Sequence, residues 1–198
     1  RVMSKRLFDI AFSSLFLLVL SPLFLLIALA IAIDSKGGVF YIQTRVGRHN
    51  KDFGLFKFRT MRVNSDAKGL LTVGSRDPRI TRVGYYLRKY KLDELPQLLN
   101  VFNGSMSMVG PRPEVRKYVD LYNPEQLQVL NVLPGITDNA SIEYFNESDL
   151  LAKSEDPEKT YIQEIMPAKL EINKKYIARH SFFGDLLIII KTAAKIFR

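Results

Sequence analysis

Cysteine is absent from the 198-residue sequence. That excludes disulfides, thiolate metal sites and a cysteine nucleophile. Histidine is scarce: His49 and His180 stand alone, without ligand spacing, and each reads as a surface residue. There is no Walker loop, GxGxxG, GxSxG, HExxH or zinc-ligand pattern, and no Asp-x-Asp stands out as a nucleotide-sugar metal site. Internal repeats, low-complexity tracts, a helix-turn-helix and an RNP signature are missing too. Acidic residues are outnumbered, 20 Asp and Glu against 29 Lys and Arg, for a net charge of +9. A balance of this kind favours anionic partners: nucleic acid, phosphorylated substrates or an acidic membrane face.

What is present begins with a long apolar run. Ile10 to Ile33 carries no charged residue, enough helix to span a bilayer core at about 1.5 Å per residue. Three readings compete. Arg1, Lys5 and Arg6 before the run and Ala28-Leu29-Ala30 within it resemble a signal peptide. The run is long for that, and Lys36, Arg45, Arg48 and Lys51 follow it closely. Basic residues hold their flank on the cytoplasmic side, so two basic flanks also disfavour a simple span. Ser21-Pro22 lies mid-run: Pro22 has no N–H for the carbonyl of Leu18 and crowds it, which predicts a kink. The Ser21 hydroxyl is placed to satisfy a freed carbonyl inside lipid. The preferred expectation is a reentrant helix-break-helix anchor over residues 1–36, entering and leaving on one face, followed by a catalytic domain over residues 37–198.

Val39–Gln43 and Phe53–Phe58 read as a β-hairpin across the turn-rich Gly47 to Asp52. Lys57, Arg59 and Arg62 at its end read either as charge on a solvated edge or as a phosphate-binding wall. After a loop from Asn64 to Pro78, Ile80–Lys91 has helical spacing and a basic surface that includes Arg88. Asn123-Pro124-Glu125-Gln126 is a helix start that Pro134-Gly135 should end, and Asp156-Pro157 opens a helix that Pro167 should break or kink. From Gly184 the tail is an apolar helix with Lys191, Lys195 and Arg198 on one stripe, as in an interfacial helix. A core helix with a solvated stripe fits the same pattern. The fold expected is α/β, mainly helical, with a short hairpin and interfacial amphipathic helices.

The stretch from Lys91 to Glu114 carries the chemistry. Asp93 and Glu94 are adjacent carboxylates on what reads as the first turn of a helix over Leu92–Asn103, with Pro96 tolerated there. A helix start gathers free N–H groups and suits phosphate. Pro111 and Pro113 flank Arg112 and hold its guanidinium on a rigid turn, and an aimed Arg is the usual bidentate phosphate partner. The plainer reading of the same residues is an N-cap beside an ordinary surface Glu.

These motifs, taken in order, resemble the bacterial sugar transferases, the small monotopic polyprenol-phosphate phosphoglycosyltransferases. The resemblance runs through Arg6-x-x-Asp9, Ser21-Pro22, Gln43-x-Arg45-x-Gly47, Lys57-Phe58-Arg59-Thr60-Met61 and Asp77-Pro78-Arg79. It continues through Leu92-Asp93-Glu94-Leu95-Pro96-Gln97, Asn100-Val101, Gly110-Pro111-Arg112-Pro113 and Pro134-Gly135-Ile136-Thr137. It implies an enzyme of the bacterial inner membrane, monotopic, with its catalytic domain on the cytoplasmic face. A sugar-1-phosphate would pass from a UDP-sugar to polyprenol (undecaprenyl) phosphate with release of UMP, the first membrane step of glycoconjugate assembly. Asp93 would carry the phosphosugar in a ping-pong scheme, and Glu94 would assist as a base or by ordering Mg²⁺, with both carboxylates as tentative metal ligands. Lys57, Arg59, Arg88, Arg112 and Pro113 would line the substrate phosphates. The implied partners are the UDP-sugar, the polyprenol phosphate and an anionic membrane, not nucleic acid. Two readings stand beside it: a one-step transferase on the same substrates, and a non-catalytic, membrane-anchored basic module binding nucleic acid or acidic lipid. The chain departs from the pattern after Thr137. Many members continue with Gly where this chain has Asp138, and a frequent Asp near the later Tyr is here Asn173, before Tyr176. Ala140-Ser141-Ile142-Glu143 is the candidate wall of a sugar pocket.

Overall fold

A computed structural model describes residues 2–63, 65, 71–74 and 77–196, with side chains from residue 5 onward. Arg1, Asn64 and Arg198, used in the sequence reading, lie outside the described residues. The chain opens with two helices, α1 (Val2–Val19) and α2 (Ser21–Asp34). From Lys5 to Asp34 they are bent by 60° at their junction. Ser21 Oγ donates to the Leu18 carbonyl at 2.8 Å, the acceptor that Pro22 strands. Among the described residues no single helix is long and apolar enough to cross a membrane, whereas this bent pair together is.

The bent pair is tied to the rest by polar clasps. Arg6 donates to the carbonyls of Val101 (2.5 Å) and Phe102 (2.8 Å), which lie in the last turn of α4 (Gln97–Asn103), where a cation also meets the negative end of the helix dipole. Buried Asp9 accepts from the Met108 amide at 3.0 Å. Arg59 donates to the carbonyls of Ser35 and Lys36 at 2.8 and 2.5 Å, closing the end of α2. Asp34 accepts from the Val83 amide at 3.0 Å, at the start of α3 (Arg82–Lys89).

The hairpin pairs β1 (Phe40–Val46) with β2 (Asp52–Phe58), in register from Phe40 opposite Phe58 to Val46 opposite Asp52. The first strand runs further than its apolar pattern suggests, because the Val46 amide finds the Glu114 carbonyl at 2.8 Å. His49 and Asn50 turn the chain at positive φ, 59° and 60°. A second pair, unforeseen in the sequence, runs parallel: β3 (Ser107–Val109) beside β4 (Gly135–Thr137). Gly110 and Gly135 make this contact possible, since a Cβ on Gly135 would lie 2.1 Å from the Gly110 nitrogen. Pro134-Gly135 therefore leads into a strand rather than merely ending a helix.

Several boundaries move. α3 starts at Arg82 rather than Ile80, because Thr81 caps it, accepting from the Gly84 amide at 3.0 Å, and Ile80 bridges to Met61. The Asn123–Gln126 capping box forms reciprocally, at 2.9 and 2.8 Å, but it opens a 3-10 helix, Gln126–Asn131. After α5 (Arg116–Val119), α6 (Asn139–Glu143) and α7 (Glu147–Leu151), Asp156 caps α8 (Pro157–Thr160) through the Lys159 amide at 3.0 Å. A widened π-helical turn at Tyr161–Ile165 then runs directly into α9 (Met166–Arg179), with helical backbone at Thr160, Tyr161, Ile165 and Met166, so the helix widens ahead of Pro167 and does not break there. The tail helix α10 spans Phe182–Ile196. Leu55, Leu98, Val101, Met106, Val109 and Ile188 form one core among hairpin, α4, β3 and α10, and a second gathers Tyr118, Leu151, Tyr161 and Leu170.

Candidate active site

The chain reaches the site through a kink. Lys91 takes a left-handed conformation (φ 55°), and Leu92–Glu94 form a 3-10 turn ahead of α4. Asp93 and Glu94 therefore precede the α-helix instead of occupying its first turn, and Pro96 stands at its cap position. The α-helix begins only at Gln97, so its free N–H groups lie beyond the two carboxylates.

The two carboxylates are placed differently. Glu94 is gripped by the Arg112 fork: Nη1 donates to Oε2 at 2.9 Å and Nη2 to Oε1. Asp93 is 6 % exposed, and its Oδ1 is buried without a hydrogen-bond partner. Both border a cavity of about 1180 Å³, together with Lys57, Arg88, Arg112 and Pro113. Burial opposes ionisation of Asp93 and the neighbouring Glu94 charge adds to it, so its pKa is raised despite Lys57 and Arg88. Burial also works against Glu94, but Arg112 and Lys57 overcome it and hold the carboxyl well below its usual range. Arg112 is pushed up by Glu94, against burial.

The side chain of Lys57, on β2 opposite Tyr41, makes no hydrogen bond among the described residues. Burial pulls its pKa down to about 8 against the attraction of Glu94, with Arg112 and Arg45 repelling its charge. Arg88, in the last turn of α3, borders the same cavity, and its guanidinium makes no hydrogen bond among the described residues. Two half-buried cations that feel the Asp93 and Glu94 charges yet are not hydrogen-bonded to them leave donors for an anion in the cavity. Arg59 is different. It borders the cavity, but both Nη atoms donate to the backbone at the end of α2, tying that helix to the hairpin, and only its buried Nε is without a partner.

Supports hold the Arg112 turn from both sides. Arg45 donates to the Pro113 carbonyl and to Glu114 Oε1, both at 3.1 Å, while Gln43 Oε1 accepts from Arg45 Nε and Nη2. Tyr161 donates to Glu114 Oε2. On the other side, fully buried Asp138 accepts the Arg112 amide at 3.1 Å and the Ser141 amide at 2.6 Å. Asp138 caps α6 and fixes Arg112 in one stroke. Sequence reasoning saw it only as a departure from the family pattern; the signal that could have found it is an Asp three residues before Ser141, the N-cap spacing. Asn100 accepts from the Phe56 amide and donates to the Gly54 carbonyl, at 2.9 and 2.8 Å, locking α4 to β2. The motif residues thus divide into cavity groups and the struts that aim them.

A family profile described as bacterial sugar transferase matches residues 1–198. The chain is 38% identical over 191 residues to the UDP-N-acetylgalactosamine-undecaprenyl-phosphate N-acetylgalactosaminephosphotransferase of Aeromonas hydrophila, covering 95% of this chain and 42% of that protein. It is 36% identical over 205 residues to the exopolysaccharide production protein ExoY of Rhizobium meliloti, covering 96% and 84%. To the UDP-glucose:undecaprenyl-phosphate glucose-1-phosphate transferase of Escherichia coli it is 37% identical over 199 residues, covering 96% and 39%. The chain thus spans less than half the length of two of these relatives.

Proposed function

Because the chain belongs to the bacterial sugar transferase family, we propose that it moves a sugar-1-phosphate from a UDP-sugar to polyprenol (undecaprenyl) phosphate, releasing UMP. Relatives at 36–38% identity carry such activities in their names. The non-catalytic basic module, weighed from charge and anchor alone, does not account for that kinship.

The observation that carries the mechanism is the inequality of two adjacent carboxylates. Glu94 is held by Arg112, while a buried Asp93 oxygen has no partner and borders the cavity. Asp93 is therefore the nucleophile. Its carboxylate oxygen attacks the phosphorus that bears the sugar; the new O–P bond forms as the anhydride P–O bond breaks, and UMP leaves with the electron pair. A phosphate oxygen of the polyprenol acceptor then attacks the same phosphorus, expelling the Asp93 carboxylate and giving polyprenol-diphosphate-sugar. Covalent catalysis divides one hard transfer into two. Desolvation makes the Asp93 carboxylate more basic, hence a better nucleophile. The Lys57 ammonium and the Arg88 guanidinium, free of hydrogen bonds among the described residues, neutralise the phosphate oxygens as charge shifts onto the leaving group.

Among the described residues no group of three or more acidic or histidine side chains could hold a metal by itself. The residues present fit Mg²⁺ at Asp93, which would hold the ion through a carboxylate oxygen, with Glu94 kept beside it by the Arg112 fork. When bound it supplies charge neutralisation on the diphosphate.

The membrane assignment rests on exposed apolar faces. Leu18, Leu25 and Ile33 on the bent pair are 74%, 71% and 78% exposed, and Phe183 on α10 is 80% exposed. A reentrant anchor with α10 flat on an anionic cytoplasmic leaflet would bury these faces and bring Asp93 to the level of a lipid phosphate.

The test is UMP release. Purified protein with a UDP-sugar and no acceptor should release up to one equivalent of UMP, and Asp93→Asn should release none. Full turnover by Asp93→Asn would remove Asp93 from the mechanism.

A further inference from the structure

Beyond the carboxylates, another part of the cavity wall carries polar groups with nothing to bind. Asn173, on α9, is 4 % exposed, and its Oδ1 is buried without a partner. Ser141, on α6, has a buried Oγ in the same condition. Both border the cavity that holds Asp93, Lys57 and Arg112. They stand close to the Arg112 turn, which holds Glu94 beside the attacking Asp93, by independent routes. Asp138 binds the Ser141 amide and the Arg112 amide with its two carboxylate oxygens. Asn173 also lines a small adjoining cleft with Arg112 and Pro113. Leaving a buried polar group unpaired costs free energy, so an unpartnered carboxamide facing a cavity is explained by a ligand that completes it.

We propose that Asn173 and Ser141 are the sugar-reading pair, accepting and donating hydrogen bonds to an uncharged hydroxyl or acetamido group of the donor sugar. The inference rests on the function proposed above and assigns specificity within it. In a UDP-sugar the sugar is bonded directly to the attacked phosphate, whereas uracil lies beyond the second phosphate and the ribose. Polar groups beside the Arg112–Glu94 pair, whose chain neighbour Asp93 attacks that phosphate, therefore meet the sugar first. Their neutrality selects the ligand's chemistry: a carboxamide and a hydroxyl pair with hydroxyl or amide groups. The apolar neighbours Ile136 and Ile142 border the same cavity and exclude competing water. A site built to hydrogen-bond a substrate O–H or N–H strongly rejects analogues that lack it.

The experiment compares wild type with Asn173→Leu and Ser141→Ala on UDP-glucose, UDP-galactose, UDP-N-acetylglucosamine and UDP-N-acetylgalactosamine. It reads kcat/KM for UMP release in the presence of polyprenol phosphate, and the inhibition constant of UMP. The expected result for Asn173→Leu is a fall of about 100-fold or more on the preferred donor, a flattened preference across the panel, and an unchanged UMP constant. Ser141→Ala should flatten the preference in the same direction by a smaller factor. An unchanged UMP constant also certifies a folded nucleotide site. The inference is overturned if both variants keep the wild-type preference, if all donors fall by one common factor, or if UMP binding weakens in parallel, which would assign the pair to the nucleotide. Failure of the wild type to release UMP from any donor would instead strike the function on which the inference rests.

Discussion

Asp93 and Glu94 share a peptide bond and have opposite proton chemistry, and the difference is testable by stability as well as by rate. Asp93's folded-state pKa is raised, by burial first and by Glu94 second. An ionised Asp93 therefore costs stability at pH values above its folded pKa, and that cost vanishes in acid, where folded and unfolded chains are both protonated. Asp93→Asn should accordingly raise the melting temperature at pH 7 while abolishing turnover, and the gain should disappear below about pH 3.8. Thermal denaturation across pH checks this; a lower melting temperature at pH 7 would contradict it. Lys57 works in the mirror sense. Its pKa falls to about 8, while the unfolded chain holds the proton to about 10.5, so the charged ammonium costs stability below pH 8 and the cost is relieved between pH 8 and 10.5. Lys57→Met should be stabilising at pH 7, neutral near pH 10.5, and slower in UMP release. Arg112→Lys should lower kcat/KM by about 100-fold, because a lysine cannot hold both Glu94 oxygens. The sequence disclosed these side chains but not their division of labour. Adjacency gives no hint that Arg112 occupies one carboxylate and spares the other, and Arg59 looked like Lys57 until its Nη atoms proved to be committed to Ser35 and Lys36.

Elements rather than residues decide how the site is presented. The Ser21-Pro22 bend was legible because its cause is local: a missing N–H and a hydroxyl within reach of Leu18. The hairpin and the Asn123 and Asp156 caps were legible for the same reason. The parallel β3–β4 pair was not, since it joins segments distant in sequence through a backbone contact that only Gly110 and Gly135 permit. The start of α4 was misplaced because nothing local announces the left-handed Lys91. Gly84 offers a direct check on such close approaches. A Cβ there would lie 2.1 Å from the Thr60 carbonyl oxygen, so Gly84→Ala should destabilise the protein by about 3 kcal/mol. Denaturant unfolding measures it, and a change within about 0.5 kcal/mol would show that α3 does not press on the strand end as described.

For the whole molecule, the proposed activity sets a problem of phase, since a UDP-sugar is soluble and polyprenol phosphate lies in lipid. A bent helix pair clasped to the rest of the chain by Arg6, Asp9 and Arg59 would, as a membrane anchor, bring the buried Asp93 carboxylate to where both could reach it. If the anchor is reentrant, probes at the start of α1 and the end of α2 will be modified from one side of the membrane; labelling from opposite sides would make it a span. The central claim is that Asp93 becomes esterified by a phosphosugar, and intact-protein mass spectrometry tests it most directly. After incubation with a UDP-sugar donor and no acceptor, the account predicts a mass increase of one sugar phosphate that maps to Asp93 and disappears on adding polyprenol phosphate. An unchanged mass with every donor, while the enzyme still turns over with acceptor present, would contradict it and leave a one-step transfer.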